Sequence, residues 1–348
     1  MAYTTINKST EHFNTITWSG TGSGKSETGV GFQPDWVWTK GRTLGGYNHY
    51  IVDAVRGSTK VVYSNLTEAE DTDSNGISAF GSDGYTFGTS NGYNNGSNTY
   101  VAWNWKAGGG QGSSNTAGSI NTTYTSVNTT AGFSISTYTG NGSNNATIGH
   151  GLGAVPKMMI FKILSSADDW TVYHAFLGAT KKLNLNDTGA ASTVPQIFND
   201  TEPTSSLITF GTHSRTNSSG GNYVCYAFAE KTGYSKFGSY TGGGSDGDGV
   251  FIYTGFKPAF VIIKKTSATG NWILLDSKRS NNVNQSKLFP DTNDAENTDT
   301  GNGVDLLSNG FKCRRNNGET NESGASYIYM AFAEAPLVGS NNVPCTAR

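Results

Sequence analysis

Charge is scarce in this 348-residue chain: Asp, Glu, Lys and Arg together make up 14% of it, and the net charge is −2. So even a balance excludes a nucleic-acid partner, which calls for a basic face, and an acidic disordered tail. Long apolar runs are missing too. No stretch reaches the ~18 residues of a membrane helix, so membrane insertion is not expected. Met1–Ile6 lacks the basic-then-apolar plan of a secretory leader, which points to synthesis in a cytoplasm. Cysteine is limited to Cys225, Cys313 and Cys345, an odd and widely spaced set that excludes a disulfide framework or a Cys-x-x-Cys metal site. Cys225 and Cys313 sit among strand-like residues and read as small buried hydrophobes. A 3.6-residue apolar period is absent, so long helices are not expected.

What is present is Gly, Asn, Ser and Thr in the polar fraction, with 7 Trp, 17 Tyr and 17 Phe. Aromatic and β-branched residues in this quantity supply enough apolar surface for packed β-structure. One stretch recurs: Trp18-Ser19-Gly20-Thr21-Gly22-Ser23, Tyr138-Thr139-Gly140-Asn141-Gly142-Ser143 and Tyr240-Thr241-Gly242-Gly243-Gly244-Ser245. An aromatic, a hydroxyl residue and Gly-x-Gly suit a strand entering a tight turn, and each copy is expected to form a hairpin. An apolar run follows each copy, headed by Pro34, Pro156 or Pro258 and closed by Lys40, Lys162 or Lys264 at a constant offset of six. Two anchors at one spacing establish an internal repeat.

The proline runs are apolar nearly throughout, as in a strand buried on both faces, with each lysine expected where the strand re-enters solvent. Period-2 alternation elsewhere predicts an all-β chain of three tandem antiparallel β-sandwich, jelly-roll-like domains: 1–108, 131–232 and 233–348. Residues 109–130, nearly devoid of apolar side chains, read as a flexible Gly/Ser/Asn/Thr linker.

Sites are harder to find. Gly20 to Ser26 ends like a phosphate-binding loop, in Gly24-Lys25-Ser26. Its required first glycine is Ser19, however, a strand follows where a helix is needed, and the other copies lack the lysine. His12, His49, His150, His174 and His213 are scattered, with no metal-ligand spacing. Asp53-x-x-Arg56 and Asp276-x-x-Arg279 recur at one repeat position, where the second unit has His174, and read as ion pairs pinning a loop. Asp246 and Asp248, and the Asp291 to Asp305 loop with Asp294, Glu296 and Asp299, read as solvated acids without the spacing of a calcium loop. Trp36, Trp38, Trp103 and Trp105 read as core. Trp170 and Trp272, matched positions after a polar loop, are the candidates for partial exposure and glycan contact. No catalytic residue, metal or cofactor is assigned.

Several longer motifs carry a resemblance: Met1-Ala-Tyr-Thr-Thr-Ile6, Gln33-Pro-Asp-Trp-Val-Trp-Thr-Lys40, Tyr100-Val-Ala-Trp-Asn-Trp-Lys-Ala-Gly-Gly109, residues 233–242, and Tyr327-Ile-Tyr-Met-Ala-Phe-Ala-Glu-Ala-Pro336. Over essentially its whole length the chain resembles tandem-repeat virion proteins of marine bacteriophages, including cyanophages. The resemblance implies a non-enzymatic structural protein on the particle exterior, decorating the capsid or belonging to a tail fibre. The implied partners are other virion proteins and copies of itself, with adhesion to host-surface glycans as an added role. A stand-alone lectin-like module is the alternative.

Overall fold

The computed structural model describes residues 4–280, 286–299 and 303–336, and within them the chain is almost wholly antiparallel β-structure. Helix is confined to single turns such as Asn91–Asn94 and Ser214–Asn217. Each repeat unit builds the same inner sheet from four strands. The opening strands are Phe13–Ser19, Phe133–Thr139 and Ser235–Thr241. The proline strands are Trp36–Gly41, Met158–Ile163 and Phe256–Lys265. The return strands are His49–Asp53, Thr171–His174 and Trp272–Asp276. The closing strands are Thr99–Trp105, Asn222–Phe228 and Ser326–Pro336. In all three the order is opening, closing, proline, return.

The register explains why the proline runs are apolar throughout. Trp36, Met158 and Phe260 pair with Trp105, Phe228 and Phe332 at equivalent positions. These residues, with Trp38, Ile160 and Ile262, face one core shared by all three units. The alternate residues, Val37, Met159 with Phe161, and Val261 with Ile263, face separate cores closed by small outer sheets. A strand buried on both faces has no polar side to show. At the middle of the shared core Trp105, Phe228 and Phe332 meet pairwise, with ring centroids 6.5, 6.0 and 5.6 Å apart. Equivalent residues in mutual contact define a pseudo-threefold axis.

Two expectations are corrected here. The glycine motif is not a hairpin. It carries the chain from the inner sheet to the outer one, since Lys25–Thr28 and Phe251–Tyr253 pair only within outer sheets. Its two glycines serve different ends. A Cβ on Gly20, Gly140 or Gly242 would lie 2.0, 2.5 or 2.2 Å from a backbone oxygen, whereas Gly22, Gly142 and Gly244 hold φ of 72°, 70° and 68°, a region open to glycine at no steric cost. A buried asparagine staples each turn: the Oδ1 atoms of Asn94, Asn217 and Asn321 accept from the N–H of Thr21, Asn141 and Gly243.

Nor does 109–130 form a linker of loose chain. Asp35 accepts hydrogen bonds from the N–H groups of Ala107 and Gly109 at 2.7 and 2.9 Å. Tyr124–Asn128 then adds to the opening strand Phe133–Thr139 as a further antiparallel strand. Hydroxyl groups do what apolar side chains would otherwise do: Thr122, Thr125 and Ser136 form a buried chain of bonds at 2.9 and 3.0 Å.

Candidate functional site

The strongest chemistry lies at the seams between units. Lys40, Lys162 and Lys264 do not re-enter solvent; all three are 0% exposed. Each donates from Nζ to a carbonyl of its own unit and to one of a neighbouring unit. Lys40 reaches Tyr47 O at 2.8 Å and Asn293 O at 3.3 Å. Lys162 reaches Asp168 O and Thr67 O, both at 3.1 Å. Lys264 reaches Gly270 O and, at 2.9 Å, Thr188 O. The first unit thus grips the third, the second the first, and the third the second. Carbonyl dipoles satisfy the donors, and burial outweighs the pull of nearby carboxylates such as Asp294, Asp168 and Asp291, pushing all three ammonium groups down to about 8.

The glycan-contact candidates belong to the same ring. Trp170 and Trp272 are 0% and 1% exposed, against expectation, because the polar loop preceding each folds onto a neighbouring unit. Trp170 Nε1 donates to Tyr63 O of the first unit at 2.9 Å, and Trp272 Nε1 to Asn184 O of the second at 2.8 Å. At the third equivalent position stands His49, whose Nδ1 accepts from Trp38 Nε1 at 3.0 Å; burial holds this imidazole well below its usual range. The backbone N–H of His49, Trp170 and Trp272 donates in turn to the side chains of Asn65, Asn186 and Asp291. Where two units use a neutral amide the third uses a carboxyl, and burial pushes Asp291 up to about 7.

The Asp–Arg pairs do pin a loop, with Asp53 bound to Arg56 and Asp276 to Arg279, and they reach further than sequence spacing shows. Tyr226 of the second unit donates its hydroxyl to Asp53 at 2.7 Å, and Trp103 of the first donates Nε1 to Asp276 at 2.9 Å. The matching position in the third unit is Met330, which has no donor, and it faces the unit that has His174 in place of Asp. His174 lies 3.3 Å from Tyr329 O, and burial lowers its pKa to about 4. Donor and carboxylate are therefore present or absent together.

Glu296 is no solvated loop acid. It takes a two-pronged bond from Arg42 at 2.7 and 3.0 Å and another from Arg279 at 3.0 Å. Burial raises its pKa, but these cations outweigh burial and hold it below the usual range. Asp246 and Asp248 remain in their loop, Asp248 paired to Lys312 at 2.6 Å. Lys25 opens the strand Lys25–Thr28, where it donates to Ser19 O and pairs with Glu27. Cys225 and Cys313 are buried and free; Cys345 lies outside the described residues. No group of three His, Cys, Asp or Glu side chains that could hold a metal gathers among the described residues.

Sequence reasoning missed the seam partners Thr67, Thr188, Asn293 and Tyr226, and it named Glu296 only as a solvated acid. The constant lysine at each proline run was the one available signal.

A family model for DUF7483, a domain of unknown function, matches residues 8–336. The chain belongs to the DUF7483 family. No curated protein and no solved structure matches it. The matched span runs from the 3-10 turn before the first opening strand to the end of the last closing strand, so the DUF7483 match covers all three units together.

Proposed function

We propose that the chain is a non-enzymatic structural protein of a bacteriophage particle, displayed on its exterior in the capsid or tail. The observation that carries this reading is where the costly interactions go. Lys40, Lys162, Lys264, Arg56 and Arg279 are buried at seams and bond within the chain, and they are spent on holding three units as one body. Charged groups in an active site would instead converge on a cleft that a substrate can enter. The resemblance to tandem-repeat virion proteins supplies the particle.

The test is direct. Purified particles probed with an antibody to this chain, or analysed by mass spectrometry, should contain it in fixed stoichiometry with the major capsid protein. Its absence from intact particles would overturn the reading. A glycan-binding module is the weaker alternative, since Trp170 and Trp272 cannot stack on a sugar without leaving the core.

A further inference from the structure

The three units also differ at the free edge of the opening strand. Even-numbered residues of each opening strand hydrogen-bond to the closing strand, as shown at their ends by Gly20 N to Asn98 O, Gly140 N to Gly221 O and Gly242 N to Ala325 O. Odd-numbered residues therefore turn their main chain outward. In the second unit these are Phe133, Ile135 and Thr137, and Asn128, Ser126 and Tyr124 sit opposite them. In the first and third units the corresponding residues are Phe13, Thr15 and Thr17, and Ser235, Phe237 and Ser239. Among the described residues no strand pairs there.

A groove accompanies each open edge. One of about 310 Å3 runs between Asn14 and Thr15 on one side and Ser277 and Lys278 of the third unit on the other. Its counterpart, of about 420 Å3, runs between Lys236 and Phe237 and the second unit's Ala175 and Phe176. The register of the repeat makes these the same groove turned about the pseudo-threefold axis. The third such place is filled by the chain itself: Ala107 and Gly109 bond to Asp35, and Gln111 Nε2 donates to Val55 O.

Both open grooves keep groups that await a partner. Thr15 is 4% exposed and its hydroxyl has no hydrogen-bond partner. Phe176, at the mouth of the other, is 61% exposed. Phe237 N donates to the Glu230 carboxylate at 3.3 Å, a side chain standing in for a missing strand. The chain cannot fill this groove as it fills the third, because Phe228 and Ser235 are joined by a tight turn closed by Ser235 N to Lys231 O at 2.9 Å.

We infer that the edges at Phe13–Ser19 and Ser235–Thr241 accept an extended strand from a partner protein, added antiparallel in the manner of Tyr124–Asn128. The strand that the fold already accepts defines the partner's chemistry: uncharged and rich in Ser, Thr and Asn, with an aromatic or β-branched residue at intervals. Main-chain hydrogen bonds would supply affinity, and the grooves would select side chains. Unpaired edges otherwise invite aggregation.

A synthetic peptide of residues 121–130, added at millimolar concentration to the full chain, tests this by amide hydrogen exchange. Exchange should slow at least threefold across 13–19 and 235–241 and stay unchanged across 133–139. Thr17→Pro and Ser239→Pro should each abolish protection at their own edge. Both residues are exposed and their N–H groups point away from the sheet, so thermal stability should be nearly unchanged. Protection that survives both proline variants, or none with the peptide, overturns the inference. So does protection that rises with protein concentration alone, which would assign the edges to a second copy.

Discussion

At the scale of single residues, the ionisable groups at the seams make pH a probe of the fold. Asp291 has a folded pKa of about 7 against an unfolded value of 3.8. The native state therefore binds the extra proton between these limits, and stability falls as pH rises through them. Asp291→Asn copies Asn65 and Asn186 and removes this loss. The variant should match the parent near pH 4 and exceed it by roughly 2–4 kcal/mol above pH 7 in urea unfolding. The lysines have the opposite sign. Their folded values of about 8 lie below the unfolded 10.5, so the unfolded chain binds more protons between pH 8 and 10.5 and stability rises there. Lys162→Met leaves the Thr67 and Asp168 carbonyls short of a donor. It should cost about 1–3 kcal/mol at pH 7 and flatten the rise above pH 8 by about 1.4 kcal/mol per pH unit, one proton's worth. An unchanged slope would show that Lys162 is not the buried donor described.

At the scale of elements, strand character was legible where side chains alternate or fill both faces, and the turn glycines were legible as a repeated spacing. The function of those glycines was not. A glycine that lets a backbone carbonyl approach and one that adopts positive φ look alike in sequence. Composition misled at 109–130 for a physical reason: an edge strand sealed by hydroxyl bonds needs few apolar residues, so Thr122 and Thr125, which bond to each other and on to Ser136, resemble linker chemistry. Limited proteolysis separates the two readings. Residues 112–130 should resist a nonspecific protease under conditions that nick exposed loops, and early cleavage there would restore the linker. Trp170 and Trp272 illustrate a second limit. Their matched positions were plain, but the carbonyls that bury them, Tyr63 O and Asn184 O, lie 107 and 88 residues away.

At the scale of the whole molecule, the shared core couples the units. Phe133, Phe260 and Trp36 belong to one apolar cluster, so a unit removed from the others would expose half its inner sheet to water. Calorimetry should therefore show one cooperative transition, with calorimetric and van't Hoff enthalpies in agreement. Three resolved transitions would indicate independent domains. Two of the three seams are also joined by peptide chain. The seam between the first and third units is not, and there the chain places Arg42 against Glu296, a pair whose Arg position holds Leu164 and Thr266 at the other seams.

The turn that leads into the first strand meets the last described strand at that same seam, where Ser9 Oγ donates to Glu334 O. Tension applied through the two ends is thus delivered at neighbouring points across a single joint. Opening that joint uncovers the core the three units share, so in force spectroscopy its parting and the unfolding of the sheets should occur in one rupture, and a separate early rupture would overturn the coupling.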